Sequence, residues 1–246
     1  MTKRFRMVAG PNGSGKTTLA RRLTKNYAVN FYTMLNADDV FAQVTRTRSF
    51  FAPFPVEAES LAAYAERTEY AEAEKARFRT GEIKVDSDCV RFLCDDAVNS
   101  YTVALLVSFL QDECLNRGIS FSQETVFSHP SKVSALAKAK AFGFRTYLYY
   151  VATDDAGINA DRVAERYALG GHDVPEGKIM ARYLRSLSNL PAAMPHLSRA
   201  FFFDNSGAEM RHLASFAEES GFEFFVCDAE RPRWFCDFLS QVNQQK

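Results

Sequence analysis

The stretch VAGPNGSGKTTL, residues 8–19, carries the pattern G-x-x-x-x-G-K-[ST] from Gly10 to Thr17. Glycines let the backbone curl until successive N–H groups point inward at an anion. The cradle comprises Gly10, Asn12, Gly13, Ser14, Gly15, Lys16, Thr17 and Thr18. Lys16 is placed to reach the β- and γ-phosphates of a nucleotide, and the Thr17 hydroxyl to ligate Mg²⁺. The surroundings agree. FRMVA, residues 5–9, is a short apolar run suited to a buried strand, and KTTLARRLTKN, residues 16–26, has helical spacing at Leu19 and Leu23. A phosphate at that helix start gains from the unpaired N–H groups and the helix dipole. The loop predicts a bound nucleotide such as ATP; it does not by itself separate a kinase from a hydrolase or a nucleotide switch.

Composition narrows the classes. The 246 residues are 47% hydrophobic, enough for a sizeable core, and Lys plus Arg balance Asp plus Glu at 30 each. A neutral chain exerts no strong pull on nucleic acid. The five cysteines include no C-x-x-C pair, so free thiols in a reducing cytoplasm are expected rather than a zinc site or a disulfide framework. With the loop beginning at Gly10, no signal peptide is expected. The most apolar stretch, Val103 to Leu110, is too short to cross a bilayer, so no membrane partner is expected.

Along the chain, FYTMLNADDV (31–40) reads as a second strand ending in a turn at Asn36, with Asp38 and Asp39 opening a helix. A proline-punctuated connector follows, then an Ala/Glu-rich helix from about 56 to 79. EIKVD (82–86) suits a short strand. The stretch 94–118 reads as a helix stopped by Gly118. An α/β rhythm then takes over. Strands are expected at ISFSQET (119–125), FRTYLYYVAT (144–153), RAFFFDNS (199–206) and FEFFVCD (222–228), with helices between them and a last helix at RWFCDFLSQV (233–242). Strands alternating with helices imply a doubly wound, mainly parallel sheet covered on both faces. The expectation is one α/β domain over 1–246, with a helical insertion at about 46–100.

Several side chains beyond the loop are candidates for chemistry. Asp38 follows the second strand, at the sheet edge where ligands bind in such folds. It reads either as a general base for an attacking hydroxyl or as a helix N-cap. Glu124 ends the next strand and suits a substrate hydroxyl, Mg²⁺ through water, or a merely polar strand end. Arg162, Arg166 and Arg182 lie on two helices joined at Gly170-Gly171, a plausible lid; each is a solvated face residue or a charge over the transferring phosphoryl group. His172 is a turn histidine or a substrate contact. Asp204 to Ser206 is a contact to base or ribose, or an Asx-turn.

The fragments AGPNGSGKTTL, LNADDV, ETVFSHPSKV, AKAFGFRTYLYYVAT, RVAERYALGGHDVPEGKI, RYLRSLSNL and DNS together resemble the zeta toxin family of P-loop kinases, in the family's order, over most of residues 5–45 and 118–207. The resemblance implies an adenylate-kinase-like fold. It also implies ATP- and Mg²⁺-dependent phosphorylation of a UDP-activated amino sugar, UDP-N-acetylglucosamine, and a small antitoxin protein that blocks the nucleotide site. It carries phosphate and metal binding to Lys16 and Thr17, the catalytic base to Asp38, substrate binding to Glu124 and the first lid arginine to Arg162. The family's second lid arginine falls near His172, which leaves Arg166 or Arg182 to supply that charge. The stretch between Asp38 and Glu124 exceeds the family's pattern by one or two helices. Such an insert covers the active site, docks a partner or is passively solvated. No part of the chain after Ser206 matches the family. A nucleotide-dependent regulatory NTPase or binding protein, without transfer to a small molecule, is the competing reading.

Overall fold

The computed structural model of the chain describes residues 2–67, 77–168 and 175–244. In chain order the first elements are β1 (Arg4–Ala9), α1 (Lys16–Tyr27), β2 (Thr33–Met34), α2 (Ala37–Thr47), β3 (Ser49–Phe51) and α3 (Ala58–Arg67). Next come β4 (Ile83–Asp86), β5 (Cys89–Phe92), α4 (Ser100–Arg117), β6 (Phe121–Thr125), α5 (Ser131–Ala141) and β7 (Arg145–Ala152). The chain finishes with α6 (Ala156–Ala168), α7 (Glu176–Ser188), the single turn α8 (Leu190–Ala193), β8 (Arg199–Asp204), β9 (Arg211–Ala217), β10 (Gly221–Phe224) and α9 (Arg233–Gln244). It divides into two compact units, Met1–Tyr32 with Ser122–Lys246, and Thr33–Phe121.

The first unit is built on a sheet in the order β10-β9-β8-β7-β1-β6. β1 pairs with β7 and β7 with β8, both parallel. Met7, Val8, Leu148, Val151 and Ala152 are fully buried, the continuous apolar run of strands covered on both faces. The chain's mainly parallel α/β class follows. β1 is flanked by β7 and β6, so the connection from β6 to β7 passes across β1, and the crevice of such a switch in strand order lies past its carboxyl end. The phosphate loop occupies that position.

At the other edge the parallel rule stops. β9 runs antiparallel to β8 and β10 antiparallel to β9, with a bulge at Phe202 and Phe203. β9 is a strand that the sequence reading lacks. Only residues 205–210 separate it from β8, too few for the crossover that parallel pairing requires. On one face of this edge, α9 packs Phe235 and Phe238 against Phe202, with ring centroids 5.5 and 5.0 Å apart.

In the second unit β3, β5 and β4 form an antiparallel sheet, adding strands to the segment expected to be a helical insertion. Among the described residues its longest helix is α4, which buries Val103, Leu106 and Leu110 completely. Asn99 caps it by accepting from the N–H groups of Tyr101 and Thr102, and Gly118 ends it at φ 66°, as its glycine foretold. α3 is not passively solvated. It buries Leu61 and Ala65, and Tyr64 packs edge-on to Phe109 at 5.5 Å while its hydroxyl donates to Asp112. Residues 68–76 of the same Ala/Glu-rich stretch lie outside the described residues. No helix among the described residues is long and apolar enough to cross a membrane.

His212 on β9 stacks on Phe203 at 4.7 Å and meets Phe225 at 4.5 Å. Burial lowers its pKa below the ordinary 6.5, partly offset by a hydrogen bond with the backbone of Ala214. The unfolded chain therefore takes up this proton first on acidification. The stability contributed by the neutral ring is complete above about pH 6.5 and falls away below it. His212→Phe is expected to flatten the loss of stability between about pH 7 and 5.5, read from denaturant midpoints, relative to the native chain.

Candidate functional site

The loop takes its shape from close approach. Gly13 sits at φ 74° and Gly15 at φ 96°, in the left-handed region where side chains are strained. A Cβ on Gly13 would stand 2.5 Å from the carbonyl oxygen of Asn159, and one on Gly15 2.6 Å from Nδ2 of Asn205. Those two asparagines hold the loop from outside. Asn159, fully buried on α6, donates from Nδ2 to the Asn12 carbonyl, while its Oδ1 accepts from the Thr153 hydroxyl. Asn205, just past β8, donates from Nδ2 to the Ser14 carbonyl at 2.9 Å. With these carbonyls turned outward, the Gly13 and Gly15 N–H groups of the same two peptides are left to the inside, while the Ser14 N–H donates to the Pro11 carbonyl at 3.3 Å.

α1 continues the same logic. Gly15 stands at its N-cap position and offers no capping side chain, and no acidic residue occupies the first turn. The N–H groups at the head of the helix thus remain available to an anion. Lys16 Nζ donates to the Pro11 carbonyl at 2.8 Å, folded over the loop it serves. The Thr17 hydroxyl donates to both carboxylate oxygens of Glu124, at 3.1 and 3.2 Å. Ser14 Oγ is buried and makes no hydrogen bond among the described residues. An orphaned hydroxyl of this kind costs about 1–3 kcal/mol unless a ligand satisfies it. Glycine cradle, uncapped helix head and loop lysine all fit a nucleotide's phosphates. The Thr17 hydroxyl beside the Glu124 carboxylate fits the oxygen ligands that Mg²⁺ prefers.

A cavity of about 380 Å³ is lined by Gly13, Lys16, Thr17, Glu124, Arg162 and Arg166 among others; the buried Ser14 lies behind its wall rather than in its lining. The two arginines sit one helical turn apart on α6 and share a face. Arg162 is anchored by donating from Nη1 to the Asn205 carbonyl at 2.8 Å. One helix thus supplies the loop's brace and two cations of the cavity wall.

The sequence candidates divide as follows. Lys16, Thr17, Glu124, Arg162 and Arg166 come together. Arg182, half-buried on α7, is not among the residues lining the cavity. His172 and the Gly170-Gly171 turn lie outside the described residues. Asp38 belongs to the second unit, where it is exposed in the first turn of α2. That helix is capped by Asn36, whose Oδ1 accepts from the Asp38 N–H at 3.1 Å, so neither Asp38 nor Asp39 caps it. In DNS, only Asn205 lines the cavity. Asp204 is buried beneath Trp234 and Arg211, and Ser206 bridges it to the Asp154 N–H.

Asn159 was not singled out by sequence, yet a signal existed. The buried positions of α6 are Ala156, Asn159 and Val163, so an amide stands in an otherwise apolar stripe.

Residues 6–188 match the sequence profile of the AAA domain family. No curated protein matches the sequence. Among solved structures, the PezAT chromosomal toxin-antitoxin system of Streptococcus pneumoniae is similar, with a TM-score of 0.54 and 12% identity over 99% of this chain and 87% of that one. AvrRxo1-ORF1:-ORF2 with ATP is similar with a TM-score of 0.52 and 14% identity over 91% of this chain. The match spans only 61% of the AvrRxo1 chain's length. At these identities the likeness is one of fold.

Removing either brace should free a loop carbonyl and loosen the amide cradle. Asn159→Ala and Asn205→Ala are each expected to weaken Mg·ATP binding about tenfold or more in calorimetric titration, the cost of about 1–3 kcal/mol for a broken buried hydrogen bond. Unchanged affinity in both variants would show that the cradle keeps its shape without them.

Proposed function

We propose that this chain, which belongs to the AAA domain family and has the fold of zeta-toxin-like P-loop kinases, transfers the γ-phosphate of ATP to a hydroxyl of a small molecule. The acceptor in this reading is a UDP-activated amino sugar such as UDP-N-acetylglucosamine, taken from the resemblance of the sequence fragments. Nucleotide-dependent phosphoryl transfer is what the fold itself supports. The observation that carries the choice of a kinase is the company kept by Lys16. Arg162 and Arg166, from the same chain, line the cavity into which the phosphate loop opens. Such charge, built in, suits transfer chemistry. A switch protein that awaits an arginine from outside has less use for it.

The lining of the phosphate cavity supports the roles of the loop, Thr17, Glu124, Arg162 and Arg166; those of Asp38, Arg182 and His172 are taken from the sequence and its resemblance alone. The amides of the glycine cradle and the head of α1 bind the phosphates. Lys16 leaves the Pro11 carbonyl to meet them. Thr17 would hold Mg²⁺ in concert with Glu124, which stands within hydrogen-bond reach of its hydroxyl. ATP when bound supplies the phosphoryl group, and the metal neutralises charge on its oxygens. Arg162 and Arg166 stabilise the charge that spreads over the oxygens in transfer, an effect of about 10³–10⁵ in rate for a well-placed arginine. Asp38 takes the proton of the acceptor hydroxyl as that oxygen bonds to phosphorus and the bond to ADP breaks. Glu124, Arg166, Arg182 and His172 are the proposed substrate contacts. A small antitoxin that blocks the nucleotide site belongs to the same reading, as does a cytoplasmic location. In support, one similar structure is of a toxin-antitoxin system and the other of a two-protein assembly.

Incubation of the protein with Mg·ATP and UDP-N-acetylglucosamine should give a phosphorylated sugar nucleotide by mass spectrometry. Asp38→Asn should lower that transfer about 10²–10⁴-fold while Mg·ATP binding is retained. Release of ADP and inorganic phosphate alone, with no phosphorylated metabolite even from a whole-cell extract, would instead favour a regulatory NTPase.

A further inference from the structure

A second cavity, of about 280 Å³, lies along α1 in the first unit. Its lining shares no residue with that of the phosphate cavity. One wall is α1, through Leu19, Leu23 and Arg22. The floor is the sheet, where Tyr149, Phe201, Phe203 and His212 follow one another across β7, β8 and β9. The face is open here because the chain makes the β8–β9–β10 hairpins and, among the described residues, no helix after β8 returns over this side, α9 packing against Phe202, which alternates to the other face.

The floor has a particular chemistry. Tyr149 and Phe201, directly paired across parallel strands, stack at 5.0 Å with planes 8° apart. Phe203 and His212, paired across the antiparallel ladder, stack at 4.7 Å and 18°. These separations are essentially the spacing between strands. Rings stacked in that direction stand upright on the sheet and turn their edges, not their faces, into the cavity. Ring edges carry the positive part of the aromatic quadrupole and favour the electron-rich face of another ring laid across them. The single ionised side chain in the lining is Arg22; no Asp or Glu is among the described lining residues. Arg22 Nη1 donates to the Met210 carbonyl at 3.3 Å, one use among its five N–H donors.

We infer that this cavity is a binding site for a planar aromatic anion, whose ring system lies flat over the upright edges of Tyr149, Phe201 and Phe203 and whose carboxylate or equivalent group pairs with Arg22. The volume suits a one- or two-ring molecule, at the lower end for small-molecule sites. The site is distinct from the phosphate cavity, and it shares α1 with the loop: Lys16 and Thr17 serve one, Leu19, Arg22 and Leu23 the other.

The test uses the full chain and 2-naphthoate as the probe, followed by calorimetry and by the probe's fluorescence. Saturable binding of one equivalent is expected. The uncharged 2-naphthalenemethanol should bind at least about fivefold more weakly, and Arg22→Glu should weaken 2-naphthoate at least about tenfold while Arg22→Lys stays within about threefold of the native chain. Arg22 is an exposed residue, so these variants are expected to fold, and circular dichroism checks that they do. Saturating Mg·ATP should leave the naphthoate bound. Failure to saturate, equal affinity of Arg22→Glu, or equal affinity of the alcohol would overturn the proposal. So would competitive displacement by ATP, which would assign the cavity to the nucleotide instead.

Discussion

Asn159 and Asn205 turn the carbonyls of Asn12 and Ser14 away from the phosphate cavity, and the rest of the site depends on that constraint. A peptide group has two ends. If the carbonyl end is held by a buried donor outside the loop, the amide end is committed to the inside. Gly13 and Gly15 are required for the same reason, since a side chain at either would occupy the space the braces need. The loop is therefore preorganised, and an incoming phosphate does not have to pay for arranging the dipoles that receive it.

The braces also link parts of the unit that lie far apart in sequence. Asn159 and Arg162 sit three residues apart on α6, one holding the loop directly and the other holding Asn205, which holds the loop from β8. Tyr183 on α7 extends the connection by donating to the Thr153 carbonyl at 2.8 Å, next to the Thr153 hydroxyl that fixes Asn159. Burial pushes the Tyr183 pKa up, so this hydroxyl keeps its proton as a donor throughout the ordinary pH range. Arg162 in the cavity wall and the braced peptides of the loop are thus set by one hydrogen-bonded network.

How much of this was legible in the sequence varied with how local the cause is. The loop, β1 and α1 were readable because glycine, lysine and threonine spacing states the backbone geometry outright. α4 was readable from its apolar middle and Gly118. β9 was not: RHLASFA buries only Leu213 and Ala214, and its identity as a strand comes from partners on both sides. The packing of α3 was hidden by its Ala/Glu content, since Leu61 and Tyr64 are few among many solvated letters. The units divide between 32 and 33 and between 121 and 122, with no Pro- or Gly-rich linker to mark either place. In the site, residues that act by charge were visible as candidates. Asn159, which acts by holding another residue's backbone, was not, because its partner is 147 positions away.

The most direct test of the account is a crystal structure of the chain with Mg²⁺ and a non-hydrolysable ATP analogue. The account predicts phosphate oxygens within hydrogen-bond distance of the amides of residues 13–17, Lys16 released from the Pro11 carbonyl, and Asn159 and Asn205 still bound to the carbonyls of Asn12 and Ser14. Nucleotide bound elsewhere, with Lys16 still on Pro11, would contradict it.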